Sequence, residues 1–66
     1  MDEIRAIGAA VRRARRAAGL TQAQNAELAE TSERTIRDIE KGTGSPSLTA
    51  VVRAATVVGL TLEAHP

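Results

Sequence analysis

Residues 19–42 constrain the fold of this chain more than any other stretch, because they carry the start and stop signals of two short helices. Thr21 and Gln24 have the spacing of a capping box, in which each side chain bonds a backbone N–H at the helix start. Ser32 is a second good N-cap, and Gly42 is suited to the left-handed residue that follows a helix. The pattern predicts two consecutive helices joined by a turn.

A longer helix is predicted before this pair. Apolar side chains recur there at intervals of three and four residues, as they do along one face of a helix, at Ile4, Ile7, Val11, Ala14 and Ala18. Gly19 is suited to ending this helix. The first three helices are therefore expected to cover about residues 3–18, 22–29 and 33–41.

A fourth helix is predicted after the loop at residues 42–46. It begins at Ser47 or, with Pro46 as its first helical residue, at Ser45, and Gly59 ends it. The side chains expected to face the core are Leu48, Val51, Val52, Ala55 and Val58.

The C-terminal residues 60–65 change period. Leu60, Leu62 and Ala64 alternate with polar residues, which is typical of a strand. A lone strand has no partner in a helical chain, so the pattern predicts that it pairs with the same strand of a second copy and forms a homodimer. A frayed terminus is the alternative.

The composition limits the classes of protein to which this chain can belong. Its 66 residues make a single domain, 1–66, and with no Phe, Tyr or Trp the core must be built from aliphatic side chains. Such a small core is marginally stable alone, which also favours a dimer. With no Cys and one His, no metal site or cofactor is expected, and no nucleophile lies near a base, so we expect neither an enzyme nor a small-molecule substrate. The sequence contains neither a membrane-spanning run nor a signal-peptide pattern, so a cytoplasmic protein with no membrane contact is expected.

The charge distribution is more informative than the net charge of +1. Several basic residues crowd the first predicted helix: Arg5, Arg12, Arg13, Arg15 and Arg16. A solvated helix face explains such a run as well as nucleic-acid binding does. A second helix of about nine residues presented on a first one has the size that fits the major groove of DNA. This helix pair therefore favours nucleic-acid binding as the explanation of the basic run.

These residues together resemble the lambda-repressor/Cro-like helix-turn-helix family. The matching pattern is Val11-Arg12, Arg15, Gly19-Leu20-Thr21-Gln22, Ala26, Ala29, Ser32, Thr35-Ile36, Ile39-Glu40, Gly42 and Pro46-Ser47-Leu48. The resemblance implies an all-α, four-helix domain whose helix-turn-helix, residues 21–41, binds double-stranded DNA. The ending Gly-Leu-Thr-Leu-Glu resembles the HipB-type antitoxin branch, which implies a homodimeric repressor of its own operon with a HipA-type kinase toxin as a further partner.

The resemblance also implies roles for individual residues. Base contacts are expected from Ser32, Glu33, Arg34 and Asp38, and phosphate contacts from Thr21, Gln22, Arg37, Lys41, Thr43 and Ser45. Arg15 and Glu40 are expected to form a salt bridge between the first helix and the end of the recognition helix. Two alternatives stay open: Glu40 pairs with Arg37 on the helix surface, and Asp38 is a solvated acid that pairs with Arg34 or Lys41.

Two positions depart from the family's pattern. Asn25 lies where a large aliphatic residue usually enters the core, and Glu30 lies where the turn usually has a left-handed glycine. An unsatisfied buried amide and a glutamate at positive φ are both destabilising. Dimer contacts could compensate for them, they could be changes in an otherwise ordinary regulator, or the second and third helices could fuse over residues 20–41 and swap between protomers. The alternative function is a protein-interaction module that no longer binds DNA.

Overall fold

The structure, a computed structural model, describes residues 2–62. This part of the chain forms four helices and no strand, which confirms the prediction of an all-α fold. The helices are α1 (Asp2–Ala17), α2 (Gln22–Leu28), α3 (Glu33–Lys41) and α4 (Leu48–Val57). Within the same residues, no helix is long and apolar enough to cross a membrane.

The helix starts follow the capping signals of the sequence. Thr21 accepts a hydrogen bond from the backbone N–H of Gln24 at 3.0 Å, and the Gln24 side chain accepts one from the Thr21 N–H at 2.8 Å, which completes the capping box. Ser32 caps α3 at 3.1 Å. Ser47, rather than Ser45, caps α4, so the first of the two predicted starts is correct.

All four helices end in the same hydrogen-bond pattern. A residue with φ between +57° and +83° follows each helix, and the next N–H bonds the carbonyl five residues back, at 2.8–3.2 Å. This is the Schellman motif, in which a left-handed residue lets the chain satisfy the last free carbonyls of a helix. The left-handed residues are Gly19, Gly42, Gly59 and, after α2, Glu30.

The turn after α2 decides between the alternatives for the helix pair. Glu30 has φ +57°, and Ser32 begins α3 two residues later. The fused helix that the sequence permits over residues 20–41 is therefore wrong. The reason is that the Thr31 N–H bonds the Ala26 carbonyl at 2.9 Å while the Ser32 side chain caps the next helix, so both helix ends at the turn are satisfied.

The core lies among α1, α2, α3 and the second half of α4. Its largest fully buried apolar side chains are Ile36 and Val11, and alanines of α2 and α4 fill much of the rest. Asn25 is also fully buried, and neither polar atom of its side chain has a hydrogen-bond partner among the described residues. The sequence comparison that placed Asn25 in a core position is therefore correct.

A glycine in the middle of α1 allows the closest approach between two helices. Gly8 is buried, and a Cβ atom at this position would overlap the carbonyl oxygen of Ile39 and lie 3.1 Å from that of Glu40. Because these are backbone atoms, a side chain at position 8 would push α1 away from α3. Gly8 thus sets the distance at which α1 supports α3.

Helix α4 buries only part of the face that the sequence predicts: Ala55 is buried and Val51 packs against the core. Leu48 is 75% exposed and Val52 is 42% exposed, whereas Ala54 and Ala55 are buried. The small alanines let α4 approach closely on that side, and Leu48 projects from the first turn beyond the buried cluster. The prediction that Leu48 and Val52 face inward is wrong.

The predicted C-terminal strand is not found in residues 60–62. The Leu60 N–H closes the end of α4 on the Ala55 carbonyl at 2.8 Å, and its side chain packs against the core of its own domain. Leu62 is 39% exposed. Ala64 and the rest of the predicted strand lie outside the described residues.

Candidate functional site

Helix α3 presents one polar face to solvent. Ile36 and Ile39 are buried, and on the opposite side Glu33, Arg34 and Arg37 are exposed. A nine-residue helix with a buried apolar stripe leaves its other side chains free for contacts outside the domain.

The expected base-contacting side chains lie along this polar face, with local partners of their own. Arg34 is 86% exposed, and its Nε lies 4.0 Å from Oδ2 of Asp38, whose side chain is 29% exposed. The Ser32 hydroxyl accepts from the Thr35 N–H as the N-cap and lies 2.9 Å from the Thr35 hydroxyl. An exposed pair such as Arg34–Asp38 is weak, so the Arg34 guanidinium remains available to a ligand.

A nearly buried ion pair joins α1 to the end of α3. Arg15 donates from Nε to Oε2 of Glu40 at 2.6 Å and from a terminal nitrogen to Oε1 at 3.0 Å, and the two side chains are only 11% and 4% exposed. The hydrogen bonds to Glu40, more than the charge attraction, raise the pKa of Arg15 above its ordinary value, although burial opposes this. Because the folded-state pKa is raised, the contribution of Arg15 to stability is complete below the ordinary arginine pKa and is lost only at still higher pH.

The same pair organises the start of α2. The other terminal nitrogen of Arg15 donates to the Leu20 carbonyl at 2.8 Å, and the Gln22 amide nitrogen donates to Oε1 of Glu40 at 3.2 Å. One hydrogen of the Gln22 amide is therefore used inside the domain, and a second remains. The alternative in which Glu40 pairs with Arg37 on the surface is not the arrangement found.

An open groove of about 800 Å³ runs beside this ion pair, between the second half of α1, the start of α2 and α3. Two carboxylates line it, Glu33 and Glu40. Its cationic side chains are Arg12, Arg15, Arg16, Arg37 and Lys41. Arg15 and Glu40 neutralise each other, so the other four cations and Glu33 leave the groove with a formal charge of +3, although the net charge of the chain is only +1.

The loop after α3 adds two exposed hydroxyl groups. The Thr43 and Ser45 hydroxyl oxygens lie 2.9 Å apart, and the Ser45 N–H donates to the Thr43 hydroxyl at 3.3 Å. Thr21 and Gln22 line the basic groove together with Arg37 and Lys41, but Thr43 and Ser45 do not. The structure thus brings four of the six expected phosphate-contacting residues to one groove and leaves two on the adjacent loop.

Sequence reasoning assigned no DNA contact to two arginines of the groove. Arg12 and Arg16 are counted in the basic run of the first helix, but nothing in that run separates them from Arg13. Their spacing of four residues puts them on one helix face, and the packing of α1 on α3 turns that face into the groove.

Comparison with known proteins identifies the fold family. A family model described as a helix-turn-helix domain matches residues 6–65. The match covers α2, the turn, α3 and nearly all of the remaining chain. No curated protein matches the sequence significantly.

Proposed function

This chain belongs to the helix-turn-helix domain family, and from that membership we propose that it is a sequence-specific DNA-binding transcriptional repressor. In such domains the second helix of the pair enters the major groove of DNA. The observation that carries the proposal is the polar face of α3, which lies next to a groove lined by four exposed cationic side chains in addition to the paired Arg15. Bases would meet the helix face and phosphates would meet the groove.

Base contacts are assigned to the exposed side chains at the start of α3. Arg34 is suited to bonding a guanine with two N–H groups, and Glu33 can accept from a cytosine amine. Asp38, within 4.0 Å of Arg34, would orient the guanidinium. Beside its two bonds to Thr35, the Ser32 hydroxyl retains one position for a base, which is its hydrogen or one lone pair.

Phosphate contacts are assigned to the groove and the following loop. Gln22 would donate its second amide hydrogen, while Arg37 and Lys41 supply charge. The Thr21 hydroxyl can donate to a phosphate while it accepts from the Gln24 N–H. The two hydroxyl hydrogens of Thr43 and Ser45 serve the Asp38 carbonyl and the bond between the two side chains, so a phosphate contact there would replace one of these bonds. The acidic Glu33 in the same groove limits indiscriminate phosphate binding, which favours discrimination between sequences.

The proposed active form is a homodimer on a palindromic operator, with half-sites one helical turn, about 34 Å, apart. Its support is the small aliphatic core together with exposed apolar side chains, Leu28, Leu48, Val52 and Leu62. An antitoxin role with a HipA-type kinase toxin rests only on the resemblance of the C-terminal ending.

Selection of binding sites tests this proposal. The chain is mixed with a pool of random-sequence duplexes at low salt, bound DNA is amplified through several rounds, and the selected duplex is added to the chain in sedimentation and thermal-melting experiments. We expect an enriched palindrome, one dimer bound per palindrome, and a raised Tm whose increase falls with salt. A folded chain that enriches no sequence and whose Tm is indifferent to DNA would instead support a protein-interaction module.

A further inference from the structure

We propose that Arg12 and Arg16 of α1 form a second row of phosphate contacts, so that the DNA backbone lies in the groove between α1 and α3. This inference rests on the proposed function, because it concerns how the same surface holds DNA. It assigns contacts to α1, which is outside the helix-turn-helix itself.

The first step is the arrangement of charge in the groove. Arg12 and Arg16 lie four residues apart on α1, and Arg37 and Lys41 lie four residues apart on α3. Residues at this spacing share a helix face, and all four side chains line the groove and are exposed. Each wall of the groove therefore carries two adjacent cations.

The second step concerns the kind of anion that these four cations would bind. The two cations on each wall are separated by one helical turn, roughly 6 Å along the axis. A single small anion would meet one of these cations, whereas a chain of phosphates would meet several at once. The ligand that suits the groove best is thus a polyanion with regularly spaced charges, as in a DNA strand.

The third step distinguishes DNA from an acidic protein segment. Arg37 belongs both to the groove and to the exposed face of α3, so the groove is continuous with the face assigned to base contacts. A duplex that seats α3 in its major groove brings phosphates to both sides of that helix. The groove then lies where one of the two strands passes the domain.

Arg13 provides a matched control on the same helix. It is exposed, as Arg12 and Arg16 are, but it does not line the groove. Arg12→Gln, Arg16→Gln and Arg13→Gln each remove one charge and introduce a good helix former, so all three variants are expected to fold. Circular dichroism checks that they do.

The experiment measures the affinity for a fluorescein-labelled duplex of random sequence by anisotropy, at about 50–200 mM salt. Each phosphate contact contributes about 0.9 to the slope of log K against log salt concentration. We expect the double variant Arg12→Gln/Arg16→Gln to lower the magnitude of this slope by about 1.8, Arg13→Gln to leave it unchanged, and Arg12→Lys/Arg16→Lys to retain it.

Several outcomes overturn the inference. A wild-type slope in the Arg12→Gln/Arg16→Gln variant, or a loss per removed charge that is as large in Arg13→Gln, excludes specific contacts from the two arginines while DNA binding itself stands. If the double variant loses affinity for labelled poly-glutamate but keeps its DNA slope, the groove binds acidic protein instead. If the wild-type chain binds no duplex at any salt concentration, the proposed function fails together with this inference.

Discussion

Glu40 holds the guanidinium of Arg15 through both carboxylate oxygens, at 2.6 and 3.0 Å, where α1 crosses the end of α3. Bidentate pairs of this kind combine charge with fixed geometry. Glu40 accepts from Gln22 as well, and Arg15 donates to the Leu20 carbonyl. One ion pair thus fixes α1, the start of α2 and α3 relative to one another.

Removing one partner of this pair leaves the other charge unpaired and nearly buried. We expect Arg15→Met or Glu40→Met to lower the free energy of unfolding by about 3 kcal/mol each, measured by urea denaturation. The double variant Arg15→Met/Glu40→Met should lose less than the sum of the two single changes, because neither charge is then left alone. Additive losses would contradict this interpretation of the pair.

Asn25 is expected to destabilise the domain relative to an apolar residue at the same position. Its amide is fully buried without a partner among the described residues, and each unsatisfied buried group costs about 1–3 kcal/mol. We expect Asn25→Leu to raise the free energy of unfolding by about 2 kcal/mol and the Tm by roughly 10 °C. Asn25→Ala separates the two causes, since it removes the amide without filling the space. If Asn25→Ala lowers the free energy of unfolding as an ordinary cavity-forming change does, the Asn25 amide has hydrogen-bond partners in solution.

Glu30 holds a backbone conformation that suits glycine. Its φ of +57° costs an L-residue about 1 kcal/mol, and the 3.8 Å contact of its exposed carboxylate with Arg53 offsets little. We expect Glu30→Gly to raise the midpoint of thermal unfolding by several degrees. Glu27→Gly, the same change inside α2, should lower it because glycine weakens a helix. Equal losses from both changes would mean that residue 30 is not left-handed.

Local signals made most of this fold predictable. Thr21, Ser32 and Ser47 mark helix starts because a cap is a contact between residues three apart, and glycines mark three of the four helix ends for the same local reason. The salt bridge partners Arg15 and Glu40 came from a family resemblance, since nothing local links residues that far apart.

The features that were missed depend on packing between distant segments. The alternation after Gly59 is typical of a strand, but Leu60 is used by the end of α4 and by the core. The exposure of Leu48 depends on how closely alanines bring α4 to its neighbours. Likewise, Arg12 differs from Arg13 only through the position of α3. The spacing of apolar residues shows which face of a helix is apolar, but only tertiary packing determines which residues that face contacts.

Arg34, whose side chain is 86% exposed on the polar face of α3, is the cation proposed to contact a base. We expect Arg34→Ala to relax the preference of the selected duplex at one base pair, with a loss of about 1–3 kcal/mol of discrimination there. The measurement compares affinities for the selected duplex and for duplexes changed at each position. Arg13→Ala removes the same charge away from α3 and serves as the control. An unchanged preference at every position would exclude Arg34 from base contact.

Gly8 should be intolerant of the smallest side chain although it lies in the middle of a helix. Alanine there would improve helix propensity by about 1 kcal/mol, but its Cβ would overlap the Ile39 carbonyl oxygen. Overpacking against a rigid backbone costs about 1–3 kcal/mol, so we expect Gly8→Ala to lower the free energy of unfolding and, by moving α1 from α3, to weaken DNA binding. Gly59→Ala is the control, since nothing lies within 4 Å of a Cβ there and only the strain of a positive φ is added. If Gly8→Ala stabilised the domain and left DNA affinity intact, α1 and α3 would lie farther apart in solution than the close approach of Gly8 to the Ile39 carbonyl oxygen implies.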